Sequence, residues 1–391
     1  MDFLKNEEGK IKMLFNDYVI KFDVCNFRCD YCLNLLEPKN TELWMDTKQK
    51  MIEEHDHYKR DILADELRNE NVYECQNELG KRINRMLDSF EEIIDTPILR
   101  LSGGELFAIR NIEEFIVERG EKYAVVQIVT NGYYLDEKLI ARLKNCGNVH
   151  IHFSLDGHTL EMNQKRVKNW QVQERLLGNL DMLIQNDIPV EINSVMSNAN
   201  TKDYPEFLDY LLRYEDKLVA FPSPIRGVAL EEHQPDFVST RVFEKVADDY
   251  TKYSRILPPK QYFERLAAFY RDGIRKDQCV LPEFCIQSLD DGMITPCALG
   301  WTRQLGNLFA EDLKTVQDRI GHDKLYKLLC GEKIRMDYCK KCYSTYEVCN
   351  LFFNDILSIE EMRGMPLYSD RRVCKRLMEL KEHREKNKPR F

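Results

Sequence analysis

The sequence predicts an α/β fold: six parallel strand–helix units in a barrel-like arrangement, followed by a cysteine-rich region that contains a β-hairpin. Six apolar segments, at 14–24, 97–101, 124–129, 149–153, 190–195 and 218–221, read as strands, and helical patterns such as 134–146, 168–186 and 204–214 separate them. Strand, helix, strand at this spacing means parallel βα connections. The polar motifs sit at the C-terminal ends of these strands, the end that carries the site in barrel-like βα folds. The third observation is the cysteines, which fall into the groups 25/29/32, 279/285/297 and 339/342/349 with 374.

The chain has 391 residues, 43% of them hydrophobic, which is enough for two domains with a packed core. Its net charge of −9 argues against a nucleic-acid-binding surface. No apolar run is long enough to span a bilayer, and the first residues, Met1 to Glu8, carry acids and no apolar signal core. With 13 cysteines and no secretory signal, clustered thiols read as metal ligands in a reducing cytoplasm rather than as disulfides. Cys75, Cys146 and Cys330 lie outside the groups, and Cys75 and Cys146 read as incidental or structural.

The first strand alternates, with Tyr18, Ile20, Phe22 and Val24 on one face, and runs into Cys25-Asn26-Phe27-Arg28-Cys29-Asp30-Tyr31-Cys32. A CxxxCxxC loop can wrap one face of an iron–sulfur cube, supplying thiolates to three irons and leaving the fourth open to a small molecule. The other reading is a three-cysteine zinc site, although zinc usually takes four closed ligands, commonly in CxxC pairs. The loop resembles the signature of the radical S-adenosylmethionine (radical SAM) enzymes. That resemblance implies an open (β/α)6 partial barrel of the TIM type. It implies a [4Fe–4S] cluster on Cys25, Cys29 and Cys32 whose open iron is chelated by SAM, with Tyr31 near the adenine.

Residues 37–95 are dense in charge, with apolar positions at helical spacing: Ile62, Leu63 and Leu67, then Leu79, Ile83, Met86 and Leu87. They read as a helical insertion forming a solvated outer layer. Strand two ends in Ser102-Gly103-Gly104-Glu105, where glycines permit close backbone approach and a carboxylate can hold an ammonium group. By resemblance, Gly103, Gly104 and Glu105 bind the amino group of SAM. Later strands run into Thr130-Asn131-Gly132 and Ser154-Leu155-Asp156-Gly157, and Asn193 lies on strand five. The resemblance assigns Ser154 and a helix arginine to the carboxylate and ribose of SAM, with Arg175 the first candidate and Arg166 the second. Asn131, Asp156 and Asn193 complete the expected cofactor-binding set. His150 and His152 read as barrel-interior or substrate-facing groups.

Residues 228–276 look helical, with Leu266, Ala267, Phe269 and Tyr270 on one side, and connect the barrel to the second domain. Asp290-Asp291-Gly292 between apolar runs is a hairpin signal that returns Cys297 toward Cys279 and Cys285. This region resembles the SPASM extension of radical SAM proteins, which implies two auxiliary [4Fe–4S] clusters. Cys279, Cys285 and Cys297 would serve the first, and Cys339, Cys342, Cys349 and Cys374 the second. A further family cysteine, four positions after Cys349, is replaced by Phe353. The first auxiliary cluster is therefore expected to keep an open iron, with Cys330 the alternative fourth ligand; the alternative for the second group is a zinc knuckle. The expected layout is a barrel over 1–230, a helical connector over 231–276, a SPASM region over 277–375 and a charged tail over 376–391.

The resemblance implies reductive cleavage of SAM to a 5′-deoxyadenosyl radical that abstracts hydrogen from substrate. The leading expectation is a peptide maturase that forms a thioether or carbon–carbon cross-link in a ribosomally made peptide. Its partners would be the peptide, a flavodoxin- or ferredoxin-type electron donor and a separate leader-binding protein. An alternative is a sulfatase-maturating enzyme making formylglycine from Cys or Ser. In that group an Asp base follows the cysteine that matches Cys297, and here that position is Ala298. Further alternatives are a small-molecule dehydrogenase or epimerase and, in another class, a non-catalytic iron–sulfur or zinc protein.

Overall fold

The structure is a computed structural model that describes residues 1–32, 68–226, 231–297, 304–330 and 336–387. The helix expected around Ile62, Leu63 and Leu67, the position of Ala298 and the end of the basic tail lie outside the described residues.

The chain opens with β1 (Ile11–Lys12) and β2 (Phe15–Ile20). Strand β2 ends four residues before the apolar alternation does, because Lys21 takes a left-handed φ of 44° and turns the chain. Helix α1 (Glu78–Ile93) is capped by Asn77, whose side chain accepts from the Gly80 amide. Its buried face, Ile83, Met86, Leu87 and Phe90, packs on the sheet, and Tyr18 donates to the Ile83 carbonyl at 2.9 Å. This half of the expected insertion is therefore the crossover helix between the first two barrel strands rather than a solvated layer.

Strand β3 (Ile94–Asp95) pairs with β1, and β4 (Ile98–Gly103) returns to pair with β2. The βα units continue through α2 (Ile112–Gly120), β5 (Val125–Thr130), α3 (Glu137–Cys146), β6 (Val149–Ser154), α4 (Trp170–Gln185), β7 (Val190–Met196), α5 (Tyr204–Leu211) and β8 (Leu218–Pro224). The pairs between β2 and β8 are all parallel and in chain order. Short helices and α6 (Lys260–Asp272) then lead to β9 (Cys285–Leu289), β10 (Met293–Thr295) and β11 (Gly306–Asn307). The C-terminal part adds α7 (Glu347–Phe353) and α8 (Arg371–Lys386).

The expected hairpin is present, turning at Gly292 with a φ of 95°. It hydrogen-bonds to the barrel: β9 runs parallel to β2, with Cys285 opposite Phe15 and Leu289 opposite Val19. One nine-stranded sheet results, in the order β11-β10-β9-β2-β4-β5-β6-β7-β8.

On the face opposite α1, one register row holds Gln287, Asp17, Arg100, Gln127 and His150, and the next holds His152 and Glu191. These groups satisfy one another. Arg100 donates to Gln127 at 2.9 Å and to Asp17 at 3.2 Å, Gln127 donates to Glu191 at 2.6 Å, and His152 Nδ1 lies 3.3 Å from Glu191. The C-terminal region covers this belt: the Tyr346 hydroxyl donates to Asp17 at 3.2 Å, and Tyr346 and Tyr368 pack edge-on against Phe15. Burial pushes His150 down to about 4, so it is neutral inside the fold. Among the described residues no helix is long and apolar enough to cross a membrane.

Removing one partner of a buried charge pair strands the other. Arg100→Met is therefore expected to cost roughly 3–5 kcal/mol, measured by urea unfolding; a loss below about 1 kcal/mol would show that the belt does not hold the barrel together.

Candidate active site at the strand ends

Three strand ends meet at the cysteine loop. The Val24 amide donates to the Lys21 carbonyl at 3.0 Å, closing the turn that starts the loop. The end of β4 then lies directly against it: the Glu105 amide donates to the Val24 carbonyl at 2.7 Å. Only glycine permits this approach. A Cβ at Gly103 would stand 2.1 Å from the Ile20 carbonyl oxygen, and one at Gly104 would stand 2.3 Å from that of Val24. The two glycines thus meet the backbone of the loop itself.

The Glu105 carboxylate accepts three hydrogen bonds, from the Phe107 amide at 3.1 Å, the Thr130 hydroxyl at 2.7 Å and the Asn131 amide at 2.6 Å. Burial pushes Glu105 up to about 6, while these donors pull it back. The Asn131 side chain reaches across to Asn26, in the cysteine loop, at 2.9 Å.

Cys25, Cys29 and Cys32 stand partly exposed at this point. The protein around them and the neighbouring thiols push Cys25 well up, and Cys29 up to about 12 against the pull of Arg166. Three thiols this close become thiolates only beside a cation, which is the chemistry of a metal cluster. The donor set therefore fits one iron–sulfur cluster. Among the described residues no three His, Cys, Asp or Glu side chains converge tightly enough for a single metal ion.

The other side of the mouth is built on Asp156. It accepts from the Val195 amide at 2.9 Å, from Arg166 at 3.3 Å and from the Tyr31 hydroxyl. The Arg166 guanidinium lies 5.6 Å from the centre of the Tyr31 ring and 3.9 Å from Cys29 Sγ. Arg166 is buried and joins the cysteine loop to β6. Arg175 lies exposed on α4, with its guanidinium 4.3 Å from the centre of the Tyr133 ring. Ser154 and Asn193 are register partners on neighbouring strands, and Asn193 accepts from Ser223 at 2.7 Å.

The charges of Cys297, Cys279 and Cys342 act on Cys339, and those of Arg275, Arg226 and Cys279 act on Cys342. Cys330 is buried beside Cys279 and Cys297. Cys285 starts β9 beneath the polar belt, within reach of Asp17, Cys297 and Cys349. Cys349 donates to the Tyr368 hydroxyl at 3.3 Å, and Cys374 donates to the Tyr368 carbonyl at 3.0 Å. The charges that act on Cys374 are Arg363 and Asp370, with no cysteine among them. The belt residues Asp17, Arg100, Gln127 and Glu191 were not singled out from sequence. Their signal is a polar or charged residue at the centre of each of four apolar strands.

An open parallel barrel with a thiol loop, an acid and a guanidinium at its strand ends defines a protein that holds a thiolate-ligated cofactor at a barrel mouth. Residues 19–211 match the Radical SAM superfamily, and the chain carries a radical SAM domain. Over 316 residues it is 24% identical to a GTP 3′,8-cyclase of Aliarcobacter butzleri (strain RM4018), covering 77% of this chain and 82% of that protein. Its fold is similar to that of Streptococcus suis SuiB bound to the precursor peptide SuiA, with a TM-score of 0.53, 14% identity and coverage of 86% of this chain and 71% of that one. It is also similar to anSMEcpe with bound AdoMet and the Cp18Cys peptide, with a TM-score of 0.51, 14% identity and coverage of 94% and 99%.

Gly104→Ala forces a Cβ into the Val24 carbonyl. Anaerobic reconstitution of this variant is expected to take up about four fewer irons per chain, one cluster's worth. Gly178→Ala, where a Cβ meets nothing within 4 Å, serves as the control and is expected to keep the full iron content.

Proposed function

We propose that the chain is a radical SAM maturase that modifies a peptide or protein, with an auxiliary iron–sulfur site in a SPASM-like C-terminal region. The observation that carries this reading is that Cys279, Cys297 and Cys342 all lie near enough to Cys339, beyond the barrel, for their charges to act on it. It supports a single four-thiolate auxiliary cluster, where the order of cysteines in the chain suggested two. Cys285, Cys349 and Cys374 are then packing and hydrogen-bonding groups around Tyr368 and the barrel floor.

At the mouth, Cys25, Cys29 and Cys32 would hold the catalytic cluster, and Glu105, Ser154, Asn193 and Arg166 would face SAM. When bound, SAM and its cluster supply a 5′-deoxyadenosyl radical that takes a hydrogen atom from the substrate. The residues orient and exclude: Tyr31 and Asp156 fix Arg166, and Phe27 and Tyr133 pack edge-on beside the loop at 6.0 Å between ring centres. Two structures similar in fold over most of this chain's length were solved with bound peptides, which supports a peptide substrate. A reducing cytoplasm and a flavodoxin- or ferredoxin-type donor suit an oxygen-sensitive cluster, and a separate leader-binding protein suits a peptide substrate.

The likeness to a GTP 3′,8-cyclase over 77% of the chain favours a second reading, a nucleotide substrate. The formylglycine reading has less support, because Ala298 stands where that group carries its Asp base, and Asp290 of the hairpin turn is paired with Arg82 at 2.7 Å.

Anaerobically reconstituted protein with dithionite and SAM is expected to bind about eight irons and release 5′-deoxyadenosine. Replacing Cys25, Cys29 and Cys32 with Ala is expected to abolish that release. Mass spectrometry of candidate precursor peptides encoded beside the gene is expected to find one that loses hydrogen. Turnover of GTP, with no peptide modified, would move the function to the nucleotide reading; bound zinc without SAM cleavage would overturn both.

A further inference from the structure

Arg275 lies in the link between α6 and β9 and is buried against the auxiliary thiols. Its amide donates to the Lys340 carbonyl at 2.7 Å, which pins it to the loop between Cys339 and Cys342. Its guanidinium pairs with Glu347, which is buried on α7. That carboxylate also accepts from Asn350 at 3.0 Å, and Asn350 in turn accepts from the Val280 amide at 2.9 Å. The Asn350 side-chain nitrogen stands 3.8 Å from Cys279 Sγ. Arg275 also hydrogen-bonds Cys279, and its charge acts on Cys279 and Cys342.

One atom of this arrangement has no partner. Arg275 Nε is buried and has no hydrogen-bond partner among the described residues. An orphaned guanidinium N–H inside a protein is costly, so a side chain held this firmly implies an acceptor. The Cys279 and Cys342 sulfurs are among the groups that act on Arg275. A structural ion pair alone would not need the backbone pinning to Lys340.

We infer that Arg275, held by Glu347 and backed by Asn350, is a positioning residue that donates to sulfur at the auxiliary site and sets its reduction potential. This rests on the auxiliary-cluster reading above. Hydrogen bonds to cluster sulfurs and nearby charge are two levers a protein has on such a potential. A cation on the thiolate side favours the reduced, more negative cluster, so its loss lowers the potential. Glu347 opposes it from behind, so loss of that carboxylate raises the potential.

The test uses the full chain with Cys25, Cys29 and Cys32 replaced by Ala, reconstituted anaerobically so that any remaining cluster is auxiliary. The readout is an EPR-monitored redox titration together with iron and sulfide content. Arg275→Gln is expected to keep its iron and to raise the oxidised-to-reduced ratio at the parent midpoint about tenfold, a shift of about 59 mV downward for one electron. Arg275→Lys, which keeps the charge and loses the fork, is expected to shift less. An unmoved midpoint in iron-replete Arg275→Gln overturns the inference. Should Arg275→Gln lose iron, Glu347→Gln decides: an upward shift supports the inference and an unmoved midpoint overturns it. A triple-Ala parent that takes up no iron removes the auxiliary-cluster reading itself, and the role of Arg275 falls with it.

Discussion

The Glu105 carboxylate fastens three strand ends to one another. It takes hydrogen bonds from the start of the turn after β4 and from two consecutive residues at the end of β5, while its own amide holds the cysteine loop. Two glycines make the contact sterically possible. Every thiol of the N-terminal group hangs from this junction. A carboxylate so buried is costly unless it is hydrogen-bonded, and here three donors occupy three of its roughly four lone-pair sites.

Below the mouth the barrel is filled twice over. The strands contribute a belt of mutually paired polar groups from Asp17 to Glu191, and the C-terminal region contributes an aromatic floor of Tyr346, Tyr368 and Phe284 around Phe15. A partial barrel has an open side, and its unsatisfied interior has to be covered by something else in the chain. Here the cover is the cysteine-bearing segment, so the residues past the barrel complete the core as well as carrying thiols.

Much of this could be read from sequence because strand ends announce themselves. Apolar runs that stop at CxxxCxxC, GGE, TNG and SLDG give both the order of the parallel strands and their functional edge. What could not be read was settled by tertiary packing. Chain order groups Cys339 and Cys342 with Cys349 and Cys374, yet the Cys349 thiol is hydrogen-bonded to Tyr368, while Cys279 acts on both cysteines of the CxxC pair. Arg175 sits on a long helix and Arg166 in a short connection, and it is the connection that folds back onto Asp156. Helix α1 looked solvated because its charges are dense, but its moderate stripe of Ile83, Met86, Leu87 and Phe90 is what the sheet needed.

The parallel pairing of β9 with β2 has a consequence for biogenesis. Phe15 waits for Cys285, so one flank of the first strand stays bare until nearly three quarters of the chain has left the ribosome. A bare flank of that kind recruits other strands, and long-range parallel pairing forms slowly. Until translation reaches Leu289 the nascent chain is adhesive along the strand that leads into its first metal-binding loop. Loading of iron during synthesis would thus proceed on an unfinished sheet, and any chaperone that escorts the chain has this strand to shield.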